Sequence, residues 1–449
     1  MKIITVGFYD DFSRFFLRLN KEICNLCPSS TYLHLSLNFS GYLYWRLRDS
    51  HVKLLPWLNW FSSNKKQYAK QYSYSGKVYN GVNLDWCVAY HLGEHNLSDK
   101  QQDKYYRLAM SYVDRFDILL KKEQPDLVLL SGDSRLAVRV MISLCNLKKI
   151  STRFFEQGPF ASTIIDSSGV NANASIRHTW DTREQVNEHE DLSLISQYIS
   201  RPKLNRYKRN LIYRLLDIAL NTYPIKCLVP YDIRERGVGG VIVNKLSNVF
   251  RSFTSAKQEH HTVKDAPYSC TVLLALQVPQ DANMLLHSPL YDNHADIIED
   301  CIKALPEQAK LVVREHPLYR GYYESRVYEL INRYACVFLD DNQKVVTSID
   351  DADIIVVNNS MLGVEALLSF KPILALGDSY YDGVVAKVDA REDIAQALIN
   401  TMHEPVDRYS RIAFMRKLCF SYLQAGHYRY ENLDFTRDIA KHLISNLIR

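Results

Sequence analysis

Short apolar runs alternate with longer stretches in which apolar residues recur every three or four positions. That rhythm is the signature of strands alternating with helices, and hence of a mainly parallel α/β sheet. In the first half it predicts strands at Ile3–Val6, Tyr32–Leu37, Asp126–Leu130 and Ile150–Phe155, with helices near 11–24, 99–122 and 134–147. In the second half it predicts strands at Thr271–Gln277, Lys310–Arg314, Ala335–Leu339, Ile354–Val357 and Pro372–Leu376, with helices near 292–304, 322–333, 361–369 and 391–402. Roughly 180–265 breaks the rhythm: it is polar, then strongly basic, then carries Arg236-Gly-Val-Gly-Gly-Val241. The expectation is two α/β domains facing each other across a cleft. The first spans 1–255 and includes a basic helical insertion at about 180–255; the second spans 256–449, with its last helices packing back on the first.

Open α/β sheets bind ligands beyond the carboxyl ends of their strands, so chemically useful polar residues should follow strands. Strand 126–130 runs into Ser131-Gly132-Asp133-Ser134-Arg135, and strand 150–155 into Glu156-Gln157-Gly158-Pro159. Strand 271–277 ends in Gln277-Val278-Pro279-Gln280-Asp281, and strand 310–314 in Glu315-His316-Pro317. Strand 354–357 leads to Asn358-Asn359-Ser360, and 372–376 to Gly377-Asp378-Ser379. Six such ends across two domains point to an active site. Ser360 also suits a helix N-cap, His316 a loop histidine, and Asp133 a cap on the helix that follows. Asp281 has no obvious helix to cap, and Glu156 lies beside a Gly-Pro turn at a strand end; both stand out as chemistry.

Apolar residues make up 47% and charged residues 23% of the 449, an ordinary globular mix that excludes disordered, collagen-like and coiled-coil proteins. No segment approaches the ~20 apolar residues of a membrane span, and the start, Met1-Lys2-Ile3-Ile4, reads as a strand and not as a secretory signal. The nine cysteines form no framework; Cys24-Asn-Leu-Cys27 lacks a second pair, which suits ordinary thiols in a reducing cytosol. There is no Walker A, G-x-S-x-G or H-E-x-x-H motif. Asp351-Ala-Asp353 matches the D-x-D of metal-dependent sugar-nucleotide enzymes but precedes a strand, so no metal site and no cofactor are expected. Phosphate charge would then be handled by helix N-termini, His316, Ser360 and basic side chains, as in two-domain glycosyltransferases of the GT-B type.

Five pieces, in order, resemble the bacterial capsule polysaccharide biosynthesis family, which includes the Kps-type enzymes that transfer β-linked Kdo from CMP-Kdo. They are Gly132-Asp133-Ser134-Arg135; FFEQGPF at 154–160 with GVNANAS at 169–175; LALQVPQDANMLLHSPLYDN at 274–293; REHPLYRG at 314–321; and NNSMLGVEALLSFKPILALGDSYYD at 358–382. The resemblance implies two Rossmann-like domains in a GT-B-like fold and a retaining, metal-independent transfer from CMP-Kdo. It also implies roles: Asp281 as nucleophile and Glu156 as general base, with His316 and Ser360 gripping the CMP phosphate. Asn359 and Gln277 are placed on the donor side, Glu365 as a ribose contact, and Asp133 and Arg135 on the acceptor side. Retention by two displacements needs one carboxylate as nucleophile and a second group for proton transfer. One departure stands out: several members follow E-x-G with an aromatic, Leu and Arg, whereas Gly158 is followed by Pro159-Phe160-Ala161.

The charge of +5 is small for this length, but it is unevenly placed. Arg201, Lys203, Arg206, Lys208, Arg209 and Arg214 lie within 14 residues that contain no acid. Leu204, Leu211, Leu215 and Ile218 recur at helical spacing, which predicts a basic amphipathic helix. It either packs on its own domain or adsorbs to anionic lipid; no recognition module accompanies it, so nucleic acid is not expected. The expected protein is a cytoplasmic glycosyltransferase, peripheral on the inner membrane of a Gram-negative bacterium. Its expected partners are a nucleotide sugar, a lipid-linked or glycan acceptor, and other capsule assembly or export proteins. The rival readings are a GT-B enzyme with another nucleotide sugar and a non-catalytic capsule-assembly scaffold.

Overall fold

The computed structural model describes residues 1–55, 77–93, 97–180, 186–201, 204–222 and 268–446. The chain divides into two compact units. The first gathers Met1–Val170, Arg201–Ile242 and Leu423–Arg449, and the second Asn171–Ser200 and Val243–Tyr422. A single boundary near 255 therefore does not describe the chain, because 171–200 belongs with the second unit and the last 27 residues with the first. The glycine-rich 236–241 and Lys203 lie outside the described residues.

The first unit contains β1 (Lys2–Gly7), β2 (Thr31–Ser36), β3 (Val52–Leu54), a small hairpin of β4 (Val78–Tyr79) and β5 (Val82–Asn83), β6 (Leu127–Ser131), β7 (Ser151–Gln157) and β8 (Ser162–Asp166). The second contains β9 (Cys270–Ala275), β10 (Ala309–Arg314), β11 (Val337–Leu339), β12 (Ile354–Val357), β13 (Ile373–Ala375) and β14 (Ala386–Lys387); β15 (Leu423–Ala425) returns to the first. The first sheet runs β15-β8-β7-β6-β1-β2-β3, parallel from β7 to β3 and antiparallel at β8 and β15. The second runs β11-β10-β9-β12-β13-β14 and is parallel throughout. Counted within its unit, that is the 3-2-1-4-5-6 order of the Rossmann fold. Every predicted strand is present. The unpredicted ones, β3, β8, β14, β15 and the hairpin, hold two to five residues each, too few to show a period.

Both cores follow from strands buried on two faces. β9 reads Cys-Thr-Val-Leu-Leu-Ala, and Val272, Leu273 and Leu274 are fully buried or nearly so. The helix His294–Ala304 is started by Asn293, whose side chain accepts the Asp296 amide at 2.9 Å, and it buries Ile297, Ile298 and Cys301 against the sheet. In the first unit Phe15, Phe16, Leu19 and Ile23 of the helix Asp10–Leu26 pack with Leu127, Leu129 and Phe155. The helix Thr436–Ser445 adds Ile439, Ala440 and Leu443 to that cluster.

One buried ion pair secures the edge of the second sheet. Arg314, at the end of β10, donates to Asp340 Oδ2 at 2.5 Å, to the Asn342 carbonyl at 3.0 Å and to Ser348 Oγ at 2.8 Å. Both partners are more than nine-tenths buried. Removing one partner strands the other charge, a loss of about 3–5 kcal/mol. Arg314→Leu is therefore expected to lower the unfolding free energy measured in urea by that amount, and Asp340→Leu in the same chain to restore most of it. A single-variant loss below ~1 kcal/mol would show that the pair carries no such weight.

Candidate active site

The order of the second sheet reverses between β9 and β12, where a doubly wound sheet opens a crevice at its carboxyl edge. The expected site residues Gln277, Asp281, His316, Asn359 and Ser360 all lie on loops leaving β9, β10 and β12 at that edge. Hydrogen bonds tie these loops into one rim. The Tyr323 hydroxyl donates to the Gln277 carbonyl at 3.0 Å and accepts the His316 amide at 3.1 Å, linking the exits of β9 and β10. The Asn359 amide reaches Gln277 Oε1 at 3.4 Å, linking β12 to β9. Asn359 Nδ2 donates to the carbonyls of Asn283 at 3.0 Å and His287 at 2.8 Å, bracing the short helix Ala282–Leu286.

Asp281 does cap a helix, contrary to the expectation from sequence: it is the N-cap of Ala282–Leu286, and Oδ1 accepts the Met284 amide at 2.9 Å. Five residues are too short for periodicity to reveal. Burial pushes its carboxyl up to about 6, against the pull of the Met284 and Asn283 amides. His316 Nδ1 accepts the Leu318 amide at 3.3 Å, so the neutral ring carries its proton on Nε2. Burial lowers its pKa, so at neutral pH it is a hydrogen-bond donor and not a cation. Ser360 Oγ accepts the Leu362 amide at 3.3 Å. The helix after it, predicted over 361–369, is Leu362–Ala366 followed by a 3-10 turn at Leu367–Ser369. Glu365 is exposed on that helix. A Cβ on Gly363 would lie within 2.6 Å of the buried Tyr381 ring, and Tyr381 hydroxyl donates to the Ser360 carbonyl at 2.5 Å. The spacing from Ser360 to Gly363 is thus set by Tyr381.

In the first unit the two strand ends carrying polar residues, β6 and β7, are neighbours. Gly132 has φ +71°, and its Cα faces Glu156: a Cβ there would sit 3.6 Å from Oε2. Asp133 is buried and does not cap the helix Leu136–Lys148; Oδ2 accepts the Val170 amide at 3.0 Å, and Arg135 holds the N-cap position. The Arg135 guanidinium lies 4.6 Å over the Tyr90 ring. Phe160 and Ala161, where the sequence departs from the resemblance, turn the β7–β8 hairpin with φ of 55° and 57°. Two consecutive left-handed non-glycine residues store ~1–2 kcal/mol each beside Glu156.

Sequence reasoning missed three groups. Tyr428 and Arg429 follow β15; burial raises the Tyr428 phenol, and Arg429 donates to Asp11 Oδ2 at 3.1 Å. Asp10 and Asp11 are buried at the start of the helix after β1. There burial pushes Asp10 up against the pull of Arg209. That helix start, at the reversal between β1 and β6, is occupied by the chain's own carboxylates, each paired with an arginine, Asp10 with Arg209 and Asp11 with Arg429. Arg177 forks onto Asp382 Oδ2 at 2.6 Å and Asp378 Oδ1 at 3.0 Å, so the acids of the 377–382 run are structural. None of these contacts has a local sequence signal. Asp353 accepts the Thr271 amide at 2.7 Å at the amino edge of the sheet, opposite the rim. Among the described residues no three His, Cys, Asp or Glu side chains cluster as metal ligands. The expected basic helix is also corrected: 204–210 is not helical, Arg206 bridges to Tyr430, and the helix begins at Leu211.

A mainly parallel sheet in the first unit, and in the second a wholly parallel Rossmann-order sheet with a connected polar rim, define a two-unit α/β protein. The family of capsule polysaccharide biosynthesis proteins matches residues 126–397, and the chain belongs to it. FixF of Sinorhizobium fredii is 31% identical over 174 residues, 36% of this chain and 38% of FixF. The match thus spans well under half of that relative. Among solved structures, a β Kdo 2,7 transferase, KpsC of Thermosulfurimonas dismutans, is similar over 100% of both chains at 12% identity and a TM-score of 0.38. The β Kdo 2,4 transferase of the same KpsC is similar over 65% of this chain and 80% of its own, at 15% identity and a TM-score of 0.36. A UDP-GlcNAc 2-epimerase of Neisseria meningitidis is similar over 99% and 100%, at 13% identity and 0.33.

The raised carboxyl of Asp281 generates a stability prediction. Its folded pKa lies above the ordinary aspartate value, so ionisation costs stability above pH ~6, and the cost vanishes below pH ~4, where folded and unfolded states are both protonated. Asp281→Asn keeps a capping oxygen and removes the charge. Its melting midpoint is expected above wild type at pH 7.5, by up to ~3 kcal/mol equivalent, with the gap closing toward pH 4. A pH-independent difference would mean that Asp281 is not a strained buried charge.

Proposed function

We propose that this protein is a retaining β-Kdo glycosyltransferase that uses CMP-Kdo in capsule or related surface polysaccharide synthesis. The observation that carries the reading is the Asp281 carboxylate, held at the end of β9 where the strand order reverses, within a rim shared with Gln277, His316 and Asn359. Family membership supports the pathway. In this reading an Asp281 oxygen attacks the anomeric carbon of Kdo, and CMP leaves with the bonding electrons on its phosphate oxygen. The acceptor hydroxyl then attacks the same carbon, Glu156 takes its proton, and Asp281 is released. His316 Nε2–H and Ser360 serve the leaving phosphate, Gln277 and Asn359 keep the rim in place, and Glu365 serves the ribose. Asp133 and Arg135 order the acceptor side.

The acceptor in this reading is lipid-linked or a glycan, and the reaction needs no metal, so EDTA leaves it unchanged. The protein works on the cytoplasmic face of the inner membrane of a Gram-negative bacterium, beside other capsule assembly or export proteins, and does not bind nucleic acid. Incubation with CMP-Kdo and with other nucleotide sugars, read by nucleotide release and intact mass, tests the donor. Wild type should release CMP from CMP-Kdo alone. Asp281→Asn should lose transfer by at least ~10³-fold while staying folded. Glu156→Gln should accumulate a covalent Kdo adduct and turn over slowly. Wild-type turnover by the Asp281 variant, or no adduct in the Glu156 variant, sinks the respective role. The rate should also fall below pH ~6 as Asp281 is protonated.

A further inference from the structure

The helix Leu211–Thr222 carries an apolar side that the first unit leaves open. Its packed side is marked by Tyr213, set edge-on to Tyr44 at 6.0 Å, and by buried Asp217 and Leu220. Leu211, Ile212, Leu215 and Ile218 are 65%, 69%, 55% and 48% exposed. At 100° per residue these four fall on one continuous arc opposite Tyr213 and Leu220. A helix lying on a globular unit ordinarily turns charged residues outward; this one turns out four aliphatics.

Charge surrounds the arc without interrupting it. Residues 201–216 contain no acid. Arg206, Lys208 and Arg214 are exposed, whereas Arg209 is turned inward between Asp10 and Asp217. On the packed side, Tyr44 also lines a groove of about 450 Å³ with Arg14, Arg18, Lys21 and Arg48, against the acids Glu431 and Asp434. An aliphatic ridge is thus accompanied by exposed cations of the same segment, with a further, mixed-charge groove on the packed side.

We propose that this face docks on an anionic phospholipid bilayer. Leu211, Ile212, Leu215 and Ile218 enter the boundary between headgroups and acyl chains, and Arg206, Lys208 and Arg214 lie among the lipid phosphates. Charge complementarity selects this occupant: a second copy pairing symmetrically would bring like charges together around the ridge, whereas an anionic surface neutralises them. The proposal deepens the membrane contact named above and rests on that part of the reading alone.

The test is flotation of the full chain with vesicles of phosphatidylcholine, with and without phosphatidylglycerol. Wild type should float only with phosphatidylglycerol, and added salt should weaken it. Leu211→Gln, Ile212→Gln and Leu215→Gln together should reduce bound protein at least ~10-fold with an unchanged melting midpoint. Lys208→Glu with Arg214→Glu should abolish the preference for anionic lipid. The proposal is overturned if wild type does not float, or if the glutamine variant floats like wild type. A lowered midpoint in that variant would mean that protein covers the ridge, and a wild-type dimer made monomeric by it would mean that a second copy does; either result also overturns the proposal. CMP release from CMP-Kdo, assayed without vesicles, reports separately on the catalytic reading.

Discussion

The chemistry of the second unit depends on one constraint: β9 is hydrogen-bonded in parallel along both of its edges, to β10 and to β12. A strand paired on two sides and covered on two faces has no room for a polar side chain in its buried middle, here Val272–Ala275. Polar groups are therefore expelled to its ends, and parallel pairing sends the ends of β9, β10 and β12 to the same edge. The strand order reverses at β9, so the helices on either side diverge and leave that edge open. Gln277, Asp281, His316 and Asn359 meet there because the pairing leaves them no other place.

What the rim does with these groups depends on which hydrogen bonds are already spent. Asn359 uses its amide hydrogens on the carbonyls of Asn283 and His287, and Gln277 is buried against Met284 and Asn359. They hold geometry. Asp281 has one oxygen on a backbone amide and a carboxyl shifted up by burial, and His316 is tautomerically fixed with Nε2 as donor. These two remain able to act on a ligand. The first unit uses the same architecture differently: Asp10 and Asp11 occupy the helix start at its reversal, and Glu156 stands instead at the end of β7 beside Gly132. At its reversal the first unit thus spends its carboxylates on arginines of its own chain.

Most of the fold was legible because buried parallel strands read as unbroken apolar runs, from Ile3 to Val357, between helices of clear period. The candidate residues were legible for the same reason, as the polar residues that follow those runs. Two kinds of feature escaped. Elements of two to five residues, such as β15 and the helix capped by Asp281, are shorter than any period that could announce them. Contacts between distant segments also left no local trace: Arg177 on Asp382, Arg429 on Asp11 and Tyr381 against Gly363 join residues 18 to 418 positions apart.

By itself, the sequence determined that this is a two-unit α/β protein with its polar residues at strand ends, because hydrophobic period and strand burial are local properties. It also carried the basic stretch at 201–214. Only the tertiary structure decided what that stretch is. Arg209 is spent internally on Asp10 and Asp217, Arg206 is drawn to Tyr430, and the helix that begins at Leu211 turns Tyr213 and Leu220 inward and Leu211, Ile212, Leu215 and Ile218 outward. Which side of an amphipathic segment meets solvent depends on partners far away in the chain, and no spacing within the segment can specify them.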